Sequence, residues 1–334
     1  MAHSNSFDAI RYYLAFIVVF AHFSILTGAD NFRWFNTSGE AVSGFFILSG
    51  FVVYQSYMRN ADTLLFCRKR LARILPPYVF IVMLCAVLGC VISNLPVSEY
   101  FSSSKLYRYL AANLCFLNFL GPELPGVFVD QPIHSVNGSL WTLKVELLLY
   151  ATVPLVYHLS QKFGKKKTLI AVFIFSIMYK EGFLWLYENS GKEIYRIISY
   201  QFGGQLIYFY SGTALLLYFD WFERHIKPIF VSALLLYAMR SWIDVLDHIS
   251  PFCFAVILVG IAFHTPKLNF IGRIPNVSYG IYLFHFPVIQ CIVYSGMYDR
   301  MPNISLVLSV LITVALSFFS WYFIEKRFIV KKRT

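Results

Sequence analysis

Charge is scarce in this chain. Only 13% of its residues are charged, against about 25% in a soluble domain, which excludes a water-soluble globular protein of this length. Acidic residues are the rarest class, 17 Asp and Glu against 28 Lys and Arg. The six cysteines fall at no metal-ligand or disulfide spacing, so they read as small buried hydrophobes and no metal site is expected. No basic n-region or A-x-A site opens the chain, so the first apolar run is expected to be retained rather than cleaved. A G-x-S-x-G nucleophile elbow and internal repeats are also missing.

What fills the space is apolar: 58% of residues are hydrophobic and the mean hydropathy is +0.62. An all-α integral membrane protein follows. Ten runs reach, or nearly reach, the length that crosses about 30 Å of hydrocarbon. They lie near 10–27, 39–57, 74–93, 140–159, 168–187, 199–219, 228–242, 251–265, 277–297 and 303–325. With the N-terminus cytoplasmic, Lys and Arg fall about three times as often on the inside as on the outside. That bias predicts about ten transmembrane helices with both termini cytoplasmic. The net charge of +11 is therefore a topology signal and implies no nucleic acid. A single membrane domain is expected over 1–334, with no second soluble domain. Its longest loop, 94–139, is read as an external cover, partly re-entrant or interfacial, over an outward-facing pocket.

Three clusters carry chemistry. Arg11 and His22 are eleven residues apart, a net rotation of about 20° on a helix, so they share one face about 16 Å apart. Arg11 falls at a water boundary and His22 well inside, where an ionisable group marks a functional path. Histidine is the natural base for taking a proton from a hydroxyl at neutral pH; the bland alternative is a histidine bonded to a neighbouring helix. The second cluster is RLARILPPY at 70–78, in which Arg70 and Arg73 share a helix face and can grip phosphate bidentately. Plain positive-inside topology competes with that reading and accounts for Arg59, Lys165, Lys166 and Lys167. The third is NGSLWTLKVELLLY at 137–150. Glu146 lies about 10 Å below the outer surface, a depth matching His22, where a carboxylate can orient the base or bind acceptor hydroxyls. Trp141 is an interfacial anchor or a sugar platform, and it joins Asn137 as an acceptor-binding candidate. Ser49 and Gly50 read as close-packing residues rather than a nucleophile.

Arg11 and His22, FFILSGF (45–51), RLARILPPY (70–78), SLWTLKVELLLY (139–150), SYGIYLFHFPV (278–288) and FIEKRF (323–328) occur in one order. Together they resemble the bacterial acyltransferase-3 family of ten-span membrane O-acyltransferases, and within it the phage and bacterial O-antigen acetylases. The resemblance implies transfer of acetyl from cytoplasmic acetyl-CoA, a donor substrate and not a resident cofactor, to a sugar hydroxyl. The acceptor it implies is a lipid-linked or polymeric saccharide such as lipopolysaccharide O-antigen, met at a bacterial inner membrane. By position, the family's essential arginine and histidine are Arg11 and His22, and its arginine-rich motif is Arg70 and Arg73. Its late tyrosine and histidine motif falls on Tyr279, Tyr282 and His285, which the resemblance places on the donor path. Some members carry a fused SGNH domain. None is seen here, so either the membrane domain completes the transfer or a separate partner receives the acetyl group. A direct transfer and a covalent acetyl-histidine are both compatible with His22.

Two other readings compete. A secondary transporter would use a buried Arg–His pair and an outer acid, but inverted repeats are not visible; a non-catalytic part of a polysaccharide export complex would not need His22. His3 and Asp8 match the spacing of a glycerolipid acyltransferase motif, in a polar tail that lacks that fold's surroundings.

Overall fold

The computed structural model describes residues 6–29, 37–265 and 274–329, and these are helical with no strand. Apolar runs in lipid must satisfy their backbone internally, which leaves a helix as the form for each. Ten long helices result: α1 (Phe7–Thr27), α2 (Ser38–Met58), α3 (Thr63–Ile92), α4 (Trp141–Phe163), α5 (Lys165–Ser190), α6 (Phe202–Leu217), α7 (Ile226–Met239), α8 (Val245–His264), α9 (Ser278–Tyr294) and α10 (Pro302–Ser320). Each expected apolar run falls on one of them.

Six of these helices, α1, α2, α3, α5, α8 and α10 with its continuation to Phe328, are long and apolar enough to cross a membrane. The chain is a multi-pass membrane protein. Helices α6, α7 and α9 have 16, 14 and 17 residues, about 21–26 Å of rise and short of about 30 Å of hydrocarbon. Helix α4 is longer but carries Lys144, Glu146 and Lys162.

Two helices begin well before the apolar run that announces them. Helix α3 starts at Thr63, with Pro76 and Pro77 inside it. Helix α8 starts at Val245 and holds Pro251. A proline removes one bond to the residue four before it; the preceding turns survive when that carbonyl finds other support.

The chain divides into two compact units. The first comprises Met1–Arg11, Gly39–Cys67 and Val145–Gly272. Its α2 and α6 touch backbone to backbone. A Cβ at Gly50 would lie 1.8 Å from the Phe209 carbonyl oxygen, and one at Gly212 2.0 Å from that of Ile47. The Thr213 hydroxyl donates to the Gly50 carbonyl at 3.0 Å. Gly50 is thus a close-approach residue, the use small residues serve between membrane helices.

The second unit comprises Tyr12–Ser38, Arg68–Lys144 and Arg273–Thr334. Its α9 and α10 pack through Gly280, where a Cβ would come within 2.8 Å of the Ser317 Cβ. Ser305, Ser309, Thr313, Ser317 and Ser320 form a fully buried stripe along α10. The loop 94–139 folds back along α3. On the way down, the Tyr100 hydroxyl donates to the Ala86 carbonyl at 2.7 Å. At the tip, the Tyr78 hydroxyl donates to the Asn113 carbonyl at 2.6 Å and accepts from the Asn118 amide at 3.0 Å. The Phe116 ring stacks on Tyr78 at 4.3 Å. The return ends where the Asn94 amide meets the Gly126 carbonyl at 3.0 Å. From Ile92 to Tyr78 is about 21 Å of helix rise. Non-helical backbone at such depth is tolerated because its polar groups bond within the protein.

Candidate active site

The second unit assembles a pair of histidines. Helices α1 and α9 run in the same direction within it. Near the start of both, the Tyr12 hydroxyl donates to the Pro275 carbonyl at 2.8 Å and accepts from the Val277 amide at 3.1 Å. Ten residues on, His22 meets His285: His22 Nδ1 and His285 Nε2 are 2.8 Å apart, with the rings stacked at 5.0 Å. The Phe286 ring sits edge-on to His22 at 5.3 Å.

Hydrogen-bond logic fixes the protons. His285 Nδ1 lies 3.1 Å from the Ile281 carbonyl oxygen, and a carbonyl only accepts, so Nδ1 carries a proton. His285 is fully buried and has no carboxylate partner among the described residues. A charged ring there would be an uncompensated buried cation, so His285 is neutral. Its Nε2 is then an acceptor, and His22 Nδ1 donates to it. The lone pair of His22 falls on Nε2, which has no hydrogen-bond partner among the described residues. His22 itself is half-buried. A histidine held in one tautomer with its second nitrogen available has the geometry a general base needs.

The sequence around His285 explains how it is held. Pro287 has no N–H, so the Leu283 carbonyl loses its helical partner. The Asn137 side-chain amide supplies one at 2.9 Å. Asn137 Oδ1 accepts from the Ser139 hydroxyl at 2.6 Å, and that hydroxyl also lies 3.3 Å from the Tyr282 carbonyl. The hydroxyls of Thr142 and Tyr282 are 2.7 Å apart, and Tyr282 donates to the Ser139 carbonyl at 3.3 Å. Gly138 is needed against Phe286, whose ring lies 2.8 Å from where a Cβ would stand. The segment 137–142 thereby clamps the turn of α9 that presents His285. Both ends of the Asn137 amide are engaged within the chain, and Trp141 stands half-buried at the start of α4.

Arg70 and Arg73 lie on α3 of the same unit, with Arg73 exposed and Arg70 half-buried. One residue beyond Arg73, the Ile74 carbonyl accepts from the Tyr279 hydroxyl at 3.1 Å, which ties that turn to α9. Arg73 also acts electrostatically on Glu325, a buried carboxylate in a π-helical turn over Trp321–Glu325. The Ser320 hydroxyl donates to it at 3.1 Å.

Two further candidates belong to the first unit. Arg11 pairs with Asp8 at 3.1 Å. The Glu146 carboxylate accepts from the Tyr150 hydroxyl one turn on, and Tyr150 lies 3.5 Å from the Ser49 hydroxyl. The His22 ring partner in the structure is His285, a role that sequence reasoning had offered to Glu146 while placing His285 on the donor path. A separation of 263 positions between the two histidines hid that contact; the one local signal was Pro287 two residues after His285. Sequence reasoning also missed Ser139, Thr142 and Glu325. His3 lies outside the described residues.

Comparison with known proteins agrees with the motif order. A family model describing an acyltransferase domain matches residues 4–323. An O-acetyl transferase of Shigella phage Sf6 is 28% identical over 99% of this chain and 98% of its own length. Nodulation protein 10 of Rhizobium leguminosarum bv. viciae is 27% identical over 97% of this chain and 93% of its own. The O-acetyltransferase OatA of Staphylococcus aureus is 22% identical over 92% of this chain, which spans 55% of that protein. No solved structure matches this chain. With the family model matching nearly the whole sequence and O-acetyltransferases among the relatives, the chain belongs to this acyltransferase family.

Proposed function

We propose that the protein transfers an acetyl group from cytoplasmic acetyl-CoA to a hydroxyl of a surface polysaccharide such as lipopolysaccharide O-antigen, at a bacterial inner membrane. The observation that carries this reading is the His22–His285 hydrogen bond, with its proton positions set by the Ile281 carbonyl. The likeness to a phage O-acetyl transferase supports the acetyl group and an oxygen acceptor.

In this reading His22 Nε2 takes the proton of the sugar hydroxyl as its oxygen attacks the thioester carbonyl. The carbon–sulfur bond breaks, the thiolate leaves, and the imidazolium returns its proton to sulfur, giving the acetyl ester and free CoA. Throughout, His22 Nδ1 donates to His285, so the ring does not turn as Nε2 gains and loses its proton. Arg70 and Arg73, with Arg11, bind donor phosphates; Tyr282 and Asn137 hold the turn that carries His285. Trp141 and Glu146 serve the acceptor side, and ten crossings with cytoplasmic termini put donor and acceptor on opposite faces.

Mass spectrometry of surface polysaccharide tests the reading, in cells making the wild type, His22→Ala or neither. One acetyl increment per repeat is expected with the wild type, and its loss in His22→Ala at equal membrane abundance. A general base contributes about 10²–10⁴ in rate, enough to empty the signal. An increment that survives in His22→Ala removes the assignment of the base.

A further inference from the structure

The first unit contains a cavity of about 620 Å³ lined by Asp8, Arg11, Gln55, Arg59, Asp220, Trp221 and Arg224, with Phe7, Phe51, Phe219 and Phe263 among its apolar walls. Its volume falls in the range of small-molecule sites, about 300–1,000 Å³. Four helix ends meet there: the start of α1 and the last turns of α2, α6 and α8. If the ten helices cross in alternation, all four ends share one face of the membrane, the one with the basic excess.

The three arginines differ in their commitments. Arg11 is paired with Asp8. Arg224 spends only its Nε, on the Asp220 carbonyl at 3.0 Å, and its two terminal nitrogens have no partner among the described residues. The Arg59 guanidinium likewise has no hydrogen-bond or ion-pair partner among them. Positive-inside topology explains basic residues at this face, but it does not explain two unpaired forks around one cavity. Guanidinium forks match phosphate oxygens bidentately. Trp221, exposed at the rim, offers an indole face on which a base can stack. The Asp220 carboxylate repels phosphate but accepts from an exocyclic amine or a ribose hydroxyl, which favours a nucleotide over a bare polyphosphate.

We infer that this cavity is the seat of the phosphorylated nucleoside of the acyl donor, with Arg59 and Arg224 as phosphate ligands further to those named above and Trp221 as its base platform. The inference rests on the reading that the donor is a coenzyme A thioester, and it makes Arg59 and Arg224 determinants of donor affinity rather than of chemistry.

Adenosine 3′,5′-bisphosphate, the nucleotide end of that donor without its thiol arm, is the probe. Its binding to the full-length protein in detergent is measured for the wild type, Arg59→Ala, Arg224→Ala, the two conservative lysine variants, and Lys166→Ala as a basic surface control. The wild type is expected to bind it in competition with CoA. Each alanine variant should weaken binding about tenfold, the lysine variants less, and Lys166→Ala not at all. Failure of the wild type to bind, or unchanged binding in both alanine variants, overturns the proposal. The two readings fail separately. A wild type that binds the bisphosphate through these arginines but acetylates no saccharide overturns the transfer reaction alone. One that acetylates without binding the bisphosphate overturns the cavity assignment alone.

Discussion

Around His285 in the second unit, polar groups are committed to one another: three ring nitrogens, an amide, three hydroxyls and four main-chain carbonyls bond within one cluster. In the first unit, Arg59 and Arg224 instead face a cavity of about 620 Å³ with donors to spare. With the roles proposed for them, the contrast follows from what each task costs. A base works only in the right tautomer and orientation, so its surroundings must be fully satisfied and rigid. A phosphate grip must open to water, receive a charged ligand and release it, so its donors stay unspent in the free protein.

That contrast can be broken at its most rigid point. Asn137→Ala leaves the Leu283 carbonyl without a partner, because Pro287 cannot provide one. An unsatisfied buried acceptor costs about 1–3 kcal/mol, read as a lower melting temperature in detergent. Adding Pro287→Ala restores a main-chain N–H at the right place, so the double variant should recover part of the loss. If Pro287→Ala lowers stability equally in both backgrounds, the clamp does not work as described.

A smaller effect sharpens the other side. Raising salt from about 0.1 M to about 1 M shortens the screening length from about 10 Å to about 3 Å. The KM for acetyl-CoA should rise severalfold, because open arginines are proposed to hold the donor, while kcat stays level, because the hydrogen-bonded histidine pair is neutral and not screened. Steady-state kinetics that show kcat falling with salt and KM constant would reverse the division of labour.

Much of this was legible in the sequence because lipid permits so few structures. Among the described residues each of the ten apolar runs falls on a long helix, six of them long and apolar enough to cross a membrane, and Arg11 and His22 lie on one unbroken helix, α1. Helix starts were harder to read where proline stood near them: α3 begins eleven residues and α8 six before the apolar run. Close packing at Gly50 was legible, but the partners in most tertiary contacts were not. Nothing local says that His22 meets His285, or that the loop after α3 returns to Tyr78 to bury its asparagines. Arg59 looked like topology, because a basic residue at a membrane rim has the same sequence signature whether it faces lipid headgroups or a cavity.

The central claim is that His22 acts as a base whose tautomer His285 sets. A double-mutant cycle in kcat/KM on purified protein tests it most directly, using the wild type, His22→Ala, His285→Phe and the double variant. His22→Ala is expected to lose about 10²–10⁴ and His285→Phe less, since a lone His22 still visits the active tautomer. The double variant should be no slower than His22→Ala, because residues acting as one unit do not add. Losses that multiply in the double variant would show that the two histidines act independently and would contradict the account.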